Sequence, residues 1–123
     1  MGTPAAIAVV VGNKLNCIYV HWDGFAEHLG KILLENYSGK STTELVAQGD
    51  ASVIDTTVIG SRFYHRDLGE DLTDVGFRAV DSPEDFLNEY DVSFYYLLDN
   101  TETWYIMGGY ITSWTKLEDV LHK

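Results

Sequence analysis

The five residues from His21 to Phe25, His-Trp-Asp-Gly-Phe, are the most conspicuous candidate for chemistry in the sequence. They follow a strand-like run and precede a helix-like one, and a helix N-terminus attracts anions through its free amides. His21 could act there as an acid, a base or a ligand. The structural alternative, which we favour, is that Asp23 caps the helix and Trp22 packs in the core. His21, Trp22 and Asp23 are therefore candidate ligand-binding residues.

A second polar cluster, Tyr64-His65-Arg66-Asp67, contributes two more candidate ligand-binding residues, His65 and Arg66. An arginine guanidinium can hold a phosphate or a carboxylate through two parallel hydrogen bonds. Arg66 could instead form a surface ion pair with Asp67 or Glu70, worth at most about 1 kcal/mol, and we favour this solvated-loop interpretation. If the two clusters met in space, they would form a pocket for a small ligand or a nucleotide, in an enzyme or in a protein that sequesters the ligand.

Motifs of the common enzyme classes are absent from the sequence. No HExxH or paired Cys/His spacing indicates zinc, no acidic run follows the calcium-loop pattern, and GxSxG, P-loop and GxGxxG motifs do not occur. Cys17, the only cysteine, lies in an apolar strand-like run, which is typical of a packed, inert thiol in a reducing compartment. We therefore predict no catalytic residue, no metal and no cofactor, and a non-enzymatic protein is favoured.

Acidity is the strongest compositional feature, because 19 Asp and Glu against 8 Lys and Arg give a net charge of −11. The first forty residues are neutral. The acids are densest in residues 67–91, which we call the acidic segment, where nine of them accompany a single basic residue, Arg78. Such a chain is not expected to bind nucleic acid through a general basic surface. Charge runs usually form a solvated surface, but the concentration here also indicates docking to a basic partner.

The candidate partner-binding residues all lie in the acidic segment and are Asp67, Glu70, Asp71, Asp74, Glu84 and Asp85. Carboxylates at fixed spacing can occupy a groove that normally holds phosphates, so mimicry of nucleic acid is one way in which they would act. A solvated surface without a partner is the alternative, and we weigh it slightly higher on the sequence alone.

The spacing of apolar residues predicts two β-hairpins, one near each end of the chain. The first pairs residues 5–11 with 15–22 across a Gly-Asn turn. The second pairs residues 92–98 with 103–107, and Gly108-Gly109 ends it. Short extended segments are predicted at 51–59, 61–65 and 77–80, with a loop at 68–75.

Four short helices are predicted from their start signals. They begin after Asp23, at a capping box Ser41-Thr42-Thr43-Glu44, at Ser82-Pro83-Glu84-Asp85, and at a second capping box from Thr115 to Glu118. Hairpins mixed with helices predict an α+β fold, an antiparallel sheet built from two hairpins with three to four short helices packed on one face.

Length and hydropathy bound the organisation of the chain. The 123 residues suffice for one domain, which we predict to span 1–123, and are too few for two ordinary ones. No apolar stretch approaches the roughly 20 residues of a membrane helix, and no basic stretch typical of a signal peptide opens the sequence. The sequence thus predicts a soluble cytoplasmic protein without a membrane partner. Its many aromatic residues leave a homo-oligomer open.

Two blocks of the sequence resemble a family of small proteins encoded by phages and prophages. Residues 18–25 read IYVHWDGF and residues 30–37 read GKILLENY. Weaker agreement follows at Gly49-Asp50, Arg66-Asp67-x-Gly69-Glu70 and Trp104-Tyr105. Members of the family usually carry Cys where Val20 stands here and Tyr where Phe25 stands.

The resemblance implies a phage origin and action in the host bacterial cytoplasm. Small accessory phage proteins often block host defence or redirect host machinery, so the implied partner is a host or anti-phage defence protein with a basic surface. A virion component is a third alternative. We place it last because the sequence contains no repeat and no coiled-coil pattern.

Overall fold

The computed structural model describes residues 2–122, which form eight strands, five α-helices and one π-helical turn. In chain order these are β1 (Ala5–Val11), β2 (Lys14–Val20), the π-helical turn (Ala26–Gly30), α1 (Lys31–Asn36), α2 (Gly39–Ala47), β3 (Ala51–Val53), β4 (Arg62–Phe63), α3 (Leu72–Val75), β5 (Arg78–Val80), α4 (Pro83–Glu89), β6 (Phe94–Leu98), β7 (Trp104–Gly108), β8 (Ile111–Lys116) and α5 (Leu117–Leu121). Within the described part of the chain, no helix combines the length and the apolar character that crossing a bilayer requires.

All eight strands belong to one mixed sheet in the order β4-β3-β2-β1-β6-β7-β8, with β5 also paired to β2. The α+β class is confirmed, but the prediction of an antiparallel sheet made only of two hairpins was wrong. Both hairpins exist, and they join side by side through a parallel pairing of β1 with β6. β3 also runs parallel to β2. Turn residues specify hairpins locally, whereas the choice of which edges meet depends on burial across the whole sheet.

The central position of β1 explains its unbroken apolar sequence. Residues Ala5 to Val9 are all buried, so side chains on both faces of this strand lie in a core. Gly12, with φ of +64°, turns the chain back into β2 as predicted. Side chains of β2 then alternate between the two cores, with Ile18 on one face and Cys17 on the other.

Helices cover both faces of the sheet, so the prediction that they pack on one face was wrong. The larger core lies under the π-helical turn, α1, α2 and α5, with Leu29, Leu45 and Leu117 among its buried residues. On the opposite face, Phe86 and Tyr90 bring α4 and the residue after it against Ala6, Ala8 and Cys17 of the central strands. Because β1 is apolar on both sides, each side needs a cover to remove it from water.

Asp23 does not cap the first helix, contrary to the prediction. The helical region starts with the π-helical turn after Phe25, which provides no side-chain cap. Gly24 fixes this geometry, since its N–H donates to the Thr3 carbonyl at 2.7 Å and its carbonyl accepts from the Tyr96 hydroxyl at 2.7 Å. A Cβ on Gly24 would lie 2.6 Å from the Thr3 oxygen. The chain therefore turns at Asp23, whose φ is +60°.

Two other helix starts test the capping predictions. The helix α4 begins as predicted, with Pro83 at its first turn and the Ser82 hydroxyl accepting the Asp85 N–H at 3.1 Å. The helix α2 begins at Gly39, earlier than the predicted box at Ser41. Ser41 is instead its third residue, and its hydroxyl accepts the Ser38 N–H at 2.9 Å. A capping box thus forms three residues earlier than predicted, with Ser41 in the position where a glutamate was expected.

The sequence pattern missed the last strand, β8, and the short helix α3. The strand carries exposed Thr112 and Ser113 and follows two glycines, so its alternation is weak. Between the pairs Ile106–Thr115 and Gly108–Ile111 its register with β7 shifts, which indicates a bulge. A bulge on a sheet edge interferes with further strand pairing. The final helix starts directly after β8, without the predicted capping box.

Candidate functional site

The His-Trp-Asp-Gly-Phe motif forms an aromatic surface at the end of β2. His21 and Trp22 extend the pairing with β3, their N–H groups donating to the Ala51 and Ser52 carbonyls at 3.0 and 2.9 Å. The His21 Nδ1 lies 2.8 Å from the Tyr19 hydroxyl, and its ring meets the Trp22 ring edge-on at 4.5 Å. Trp22 is 43 % exposed, so its predicted place in the core was wrong.

The other half of the motif is exposed as well. Asp23 projects at the surface from its left-handed backbone, and Phe25 packs beside the His28 ring at a centroid distance of 5.7 Å. The motif therefore presents aromatic rings rather than an acid–base pair. Among the described residues, the contact of His21 with Tyr19 is the single hydrogen bond that a side chain of the motif makes.

Arg66 is engaged by its own loop. Its Nη1 donates to the Val58 carbonyl at 3.0 Å, and its Nη2 donates to the carbonyls of Ile59, at 3.0 Å, and Ser61. The guanidinium also pairs with the Asp67 carboxylate at 3.0 Å, so the predicted ion pair is present. With its donors directed at these acceptors, Arg66 clamps the loop from Val58 to Ser61 onto residue 67.

Neighbouring groups of this loop are equally committed to local contacts. The His65 Nδ1 lies 2.7 Å from the Glu70 carbonyl oxygen. The Asp67 carboxylate accepts the Phe63 N–H at 2.8 Å in addition to its bonds from Arg66. These bonds, that from Arg66 first, hold the pKa of the Asp67 carboxyl below its usual value. The cluster is thus an ordered loop closed on itself.

The structure does not join the two candidate ligand-binding clusters. Within residues 2–122 no hydrogen bond, ion pair or ring contact links His21 or Trp22 to His65 or Arg66. Five surface grooves of about 200 to 400 Å³ lie elsewhere, and none of these residues lines them. No group of three or more His, Cys, Asp or Glu side chains in the described range is placed to hold a metal ion.

Four carboxylates of the acidic segment have structural partners. Asp67 pairs with Arg66, Asp81 with Lys14, and Glu89 with Arg78. Asp71 caps α3, accepting from the Thr73 hydroxyl at 2.6 Å and from the Thr73 N–H at 2.9 Å, and these bonds lower the pKa of its carboxyl. Two of the six candidate partner-binding residues, Asp67 and Asp71, thus also stabilise local structure.

The other four candidate partner-binding residues are exposed and form no ion pair with any residue from 2 to 122: Glu70, Asp74, Glu84 and Asp85. Two of them, Glu84 and Asp85, lie in the first turn of α4, where negative charge is stabilised by the helix dipole. A groove of about 330 Å³ runs between β5 and α4, and three of the residues that line it are acidic, namely Asp81, Asp85 and Glu89. Of these three, Asp85 forms no ion pair with any described residue. The acidic segment therefore combines unpaired charge with a concave surface.

Exposed apolar side chains accompany these carboxylates, a feature that the sequence analysis missed. Leu68, Leu72 and Phe77 lie in the acidic segment and are each more than two-fifths exposed. Ile59, on the loop held by Arg66, is 87 % exposed. The available signal was the presence of Leu68 and Leu72 in the stretch predicted to be an acidic loop, 68–75, because solubility alone favours no large apolar residue in such a loop. Phe77 gave no such signal, since it opened the predicted extended segment 77–80.

No family model, no curated protein and no solved structure matches this chain. The resemblance to phage proteins stays a prediction.

A buried polar cluster lies between β2, β5 and α4; the sequence analysis missed Asp50 and Tyr90 in it, whereas it predicted that Cys17 is a packed thiol. The Asp50 carboxylate, 9 % exposed, accepts the Tyr19 N–H at 2.9 Å, and burial raises the pKa of this carboxyl. Cys17 is fully buried, its Sγ lies 3.2 Å from the Arg78 carbonyl oxygen, and burial raises the pKa of the thiol to about 11. The Tyr90 hydroxyl is buried without a hydrogen-bond partner among the described residues. A thiol in this state is a poor nucleophile.

Proposed function

We propose that this chain is a non-enzymatic inhibitor that binds a host or anti-phage defence protein with a basic surface through the acidic segment, residues 67–91. One observation carries the proposal: six exposed carboxylates of the segment have no cationic partner in residues 2–122, namely Glu70, Asp71, Asp74, Glu84, Asp85 and Asp91. The basic residues nearest to them in sequence are already engaged, Arg66 with Asp67 and Arg78 with Glu89. The segment thus keeps a net negative charge that only an external group can neutralise.

Electrostatics gives such a surface a definite mode of action. Like charges on one rigid fold repel one another, and a complementary basic surface relieves that repulsion while accelerating encounter. Basic protein surfaces commonly serve to bind nucleic acid, so a partner held here would lose access to its phosphates. Inhibition by occupation of a nucleic-acid groove is the form of the proposal that we favour.

The alternative, a small-ligand or nucleotide-binding protein using His21, Trp22, His65 and Arg66, has less support. The guanidinium that would hold a phosphate donates to carbonyl oxygens of its own loop. This alternative stays a prediction. A ligand present at 100 times its dissociation constant would raise the free energy of unfolding by about 2.7 kcal/mol, so a thermal-shift screen of nucleotides tests it.

The main test compares two variants of equal charge. The first neutralises four of the unpaired acids of the segment by Glu70→Gln, Asp74→Asn, Glu84→Gln and Asp85→Asn. The control neutralises four exposed acids outside it by Glu27→Gln, Glu35→Gln, Glu44→Gln and Glu118→Gln. Asp71 is left intact because it caps α3. Each protein is immobilised and exposed to host lysate at low and at high salt.

We expect the parent and the control to capture the same protein at low salt and to release it at high salt. The segment variant should capture none of it. The captured protein, once purified, should lose its binding to DNA or RNA when the parent chain is added, and it should keep that binding when the segment variant is added. Equal capture by the segment variant and the parent would refute the proposal, because the charge of the segment would then be dispensable.

A further inference from the structure

Four exposed apolar side chains lie close together in the sequence, in or beside the acidic segment: Ile59, Leu68, Leu72 and Phe77, which we call the apolar patch. They are half of the large apolar side chains that remain exposed in the described residues. Three of them interrupt the acidic segment, and the fourth is tied to it by Arg66. Isolated exposed apolar residues are ordinary on a protein surface. Their concentration in and beside the most charged stretch of the chain is unusual, because charged or polar side chains at these positions would make the protein more soluble.

Hydrogen bonds hold the backbone beneath the apolar patch in place. Arg66 binds the carbonyl of Ile59 at 3.0 Å, and the Glu70 N–H donates to the Tyr64 carbonyl at 2.9 Å. The helix α3 is capped at its start by Asp71 and tied to the core by the Asp50 N–H, which donates to the Val75 carbonyl at 2.7 Å. The exposed side chains therefore stand on an ordered scaffold, which is how preorganised contact surfaces are built.

Charge complementarity identifies the occupant. Two unpaired carboxylates, Glu70 and Asp74, lie within the same stretch as Leu68, Leu72 and Phe77. A partner that covers the apolar side chains must also meet these charges. Nucleic acid is repelled by them, and a purely basic, polar surface leaves the apolar side chains in water. A segment that carries both apolar and basic side chains satisfies both requirements.

We infer that the apolar patch is the centre of the contact surface, and that the partner places on it a basic amphipathic segment. The apolar side chains of that segment pack against Leu72 and Phe77, while its lysines and arginines reach Glu70 and Asp74. This inference rests on the proposed function and deepens it, since it names the part of the acidic segment that makes contact and the chemistry of what it contacts.

Two synthetic peptides of equal length and charge test the inference. One is an amphipathic peptide of lysine and leucine, and the other carries serine in place of each leucine. Binding of each peptide to the full chain is measured by fluorescence anisotropy. The patch variant is the double substitution Leu72→Ser with Phe77→Ser. The matched control is Val11→Ser with Tyr110→Ser, which removes two exposed apolar side chains elsewhere. Thermal unfolding verifies that each variant is folded.

The parent should bind the lysine–leucine peptide at least tenfold more tightly than the lysine–serine peptide, a difference of about 1.4 kcal/mol. The patch variant should lose that preference, while the control keeps it. Equal binding of both peptides by the parent, or an unchanged preference in the patch variant, overturns the inference but leaves charge-driven docking intact. Binding of neither peptide by the parent contradicts the proposed function, and this inference with it.

Discussion

Replacement of Arg66 by alanine should loosen the loop from Val58 to Ser61 and lower the free energy of unfolding by about 2 kcal/mol. The guanidinium donates to three carbonyl groups of that loop. A hydrogen bond to a charged group contributes roughly 1.5–3 kcal/mol when it is shielded from water. The Arg66 side chain is 31 % exposed, so we take about 1 kcal/mol for each bond and subtract about 1 kcal/mol for the side-chain entropy that the variant recovers.

Urea denaturation and amide hydrogen exchange measure the two parts of this prediction. Exchange at Gly60 and Ser61 should accelerate in Arg66→Ala, while amides of β1 follow only the change in global stability. Arg62→Ala is the matched control, because Arg62 is exposed and its side chain makes no hydrogen bond in the described part of the chain. It should change the free energy of unfolding by less than about 0.5 kcal/mol.

Arg66→Lys separates charge from geometry. An ammonium group keeps the charge but lacks the planar fork that reaches three carbonyl groups at once. We expect it to recover less than half of the lost stability. If Arg66→Ala unfolds at the parent's urea concentration with unchanged exchange in the loop, water replaces these bonds without cost. The loop-clamp role would then be refuted, and the guanidinium would be available to an external anion.

Three further predictions concern the core. Phe86→Ala should lower the free energy of unfolding by about 3–5 kcal/mol in urea denaturation, because Phe86 is fully buried between α4 and the sheet; a loss below about 1 kcal/mol would contradict the described second core. The Cys17 thiol, with its pKa near 11, should react with Ellman's reagent mainly after unfolding and faster as pH rises; rapid reaction of the native chain at neutral pH would disagree. Asp50→Asn keeps an acceptor for the Tyr19 N–H and removes a buried charge. Since the folded state raises the pKa of Asp50, the native chain binds this proton more tightly than the unfolded one, and ionisation opposes folding as pH rises. The advantage of Asn should therefore grow from acid to neutral pH in urea titrations, and a pH-independent difference would contradict it.

Local signals in the sequence predicted the turn of the first hairpin and one of the four helix starts. The Gly12-Asn13 turn and the Ser82-Pro83 helix start both occur as expected, because each depends on the backbone preferences of a few adjacent residues. The parallel pairing of β1 with β6 was not predictable in this way, since no adjacent residues encode it. The cap at Asp23 failed for the same reason: a contact between Gly24 and Thr3, distant in sequence, overrides a sound local signal.

The candidate site, too, could be predicted only in the features that local sequence determines. The acidic segment is visible in composition alone, and five of its six candidate residues are exposed and form no ion pair with any residue from 2 to 122. The use of Arg66 was ambiguous, because an arginine followed by Asp67 fits both an ion pair and an anion site. The apolar patch could not be predicted, since the exposure of Leu72 and Phe77 depends on what the rest of the fold leaves uncovered.

The pairing of β1 with β6 also bears on how the chain folds as it is made. Ala5 aligns with Phe94 and Val9 with Leu98. β1 therefore cannot pair with β6 until the chain has been synthesised as far as Leu98. Contacts so distant in sequence slow folding. During synthesis the apolar edge of β1 stays open to other nascent chains until residue 98 has left the ribosome. Fragments that end before Phe94 should therefore aggregate, and expression in bacteria should depend on chaperones more than the modest size of the chain suggests.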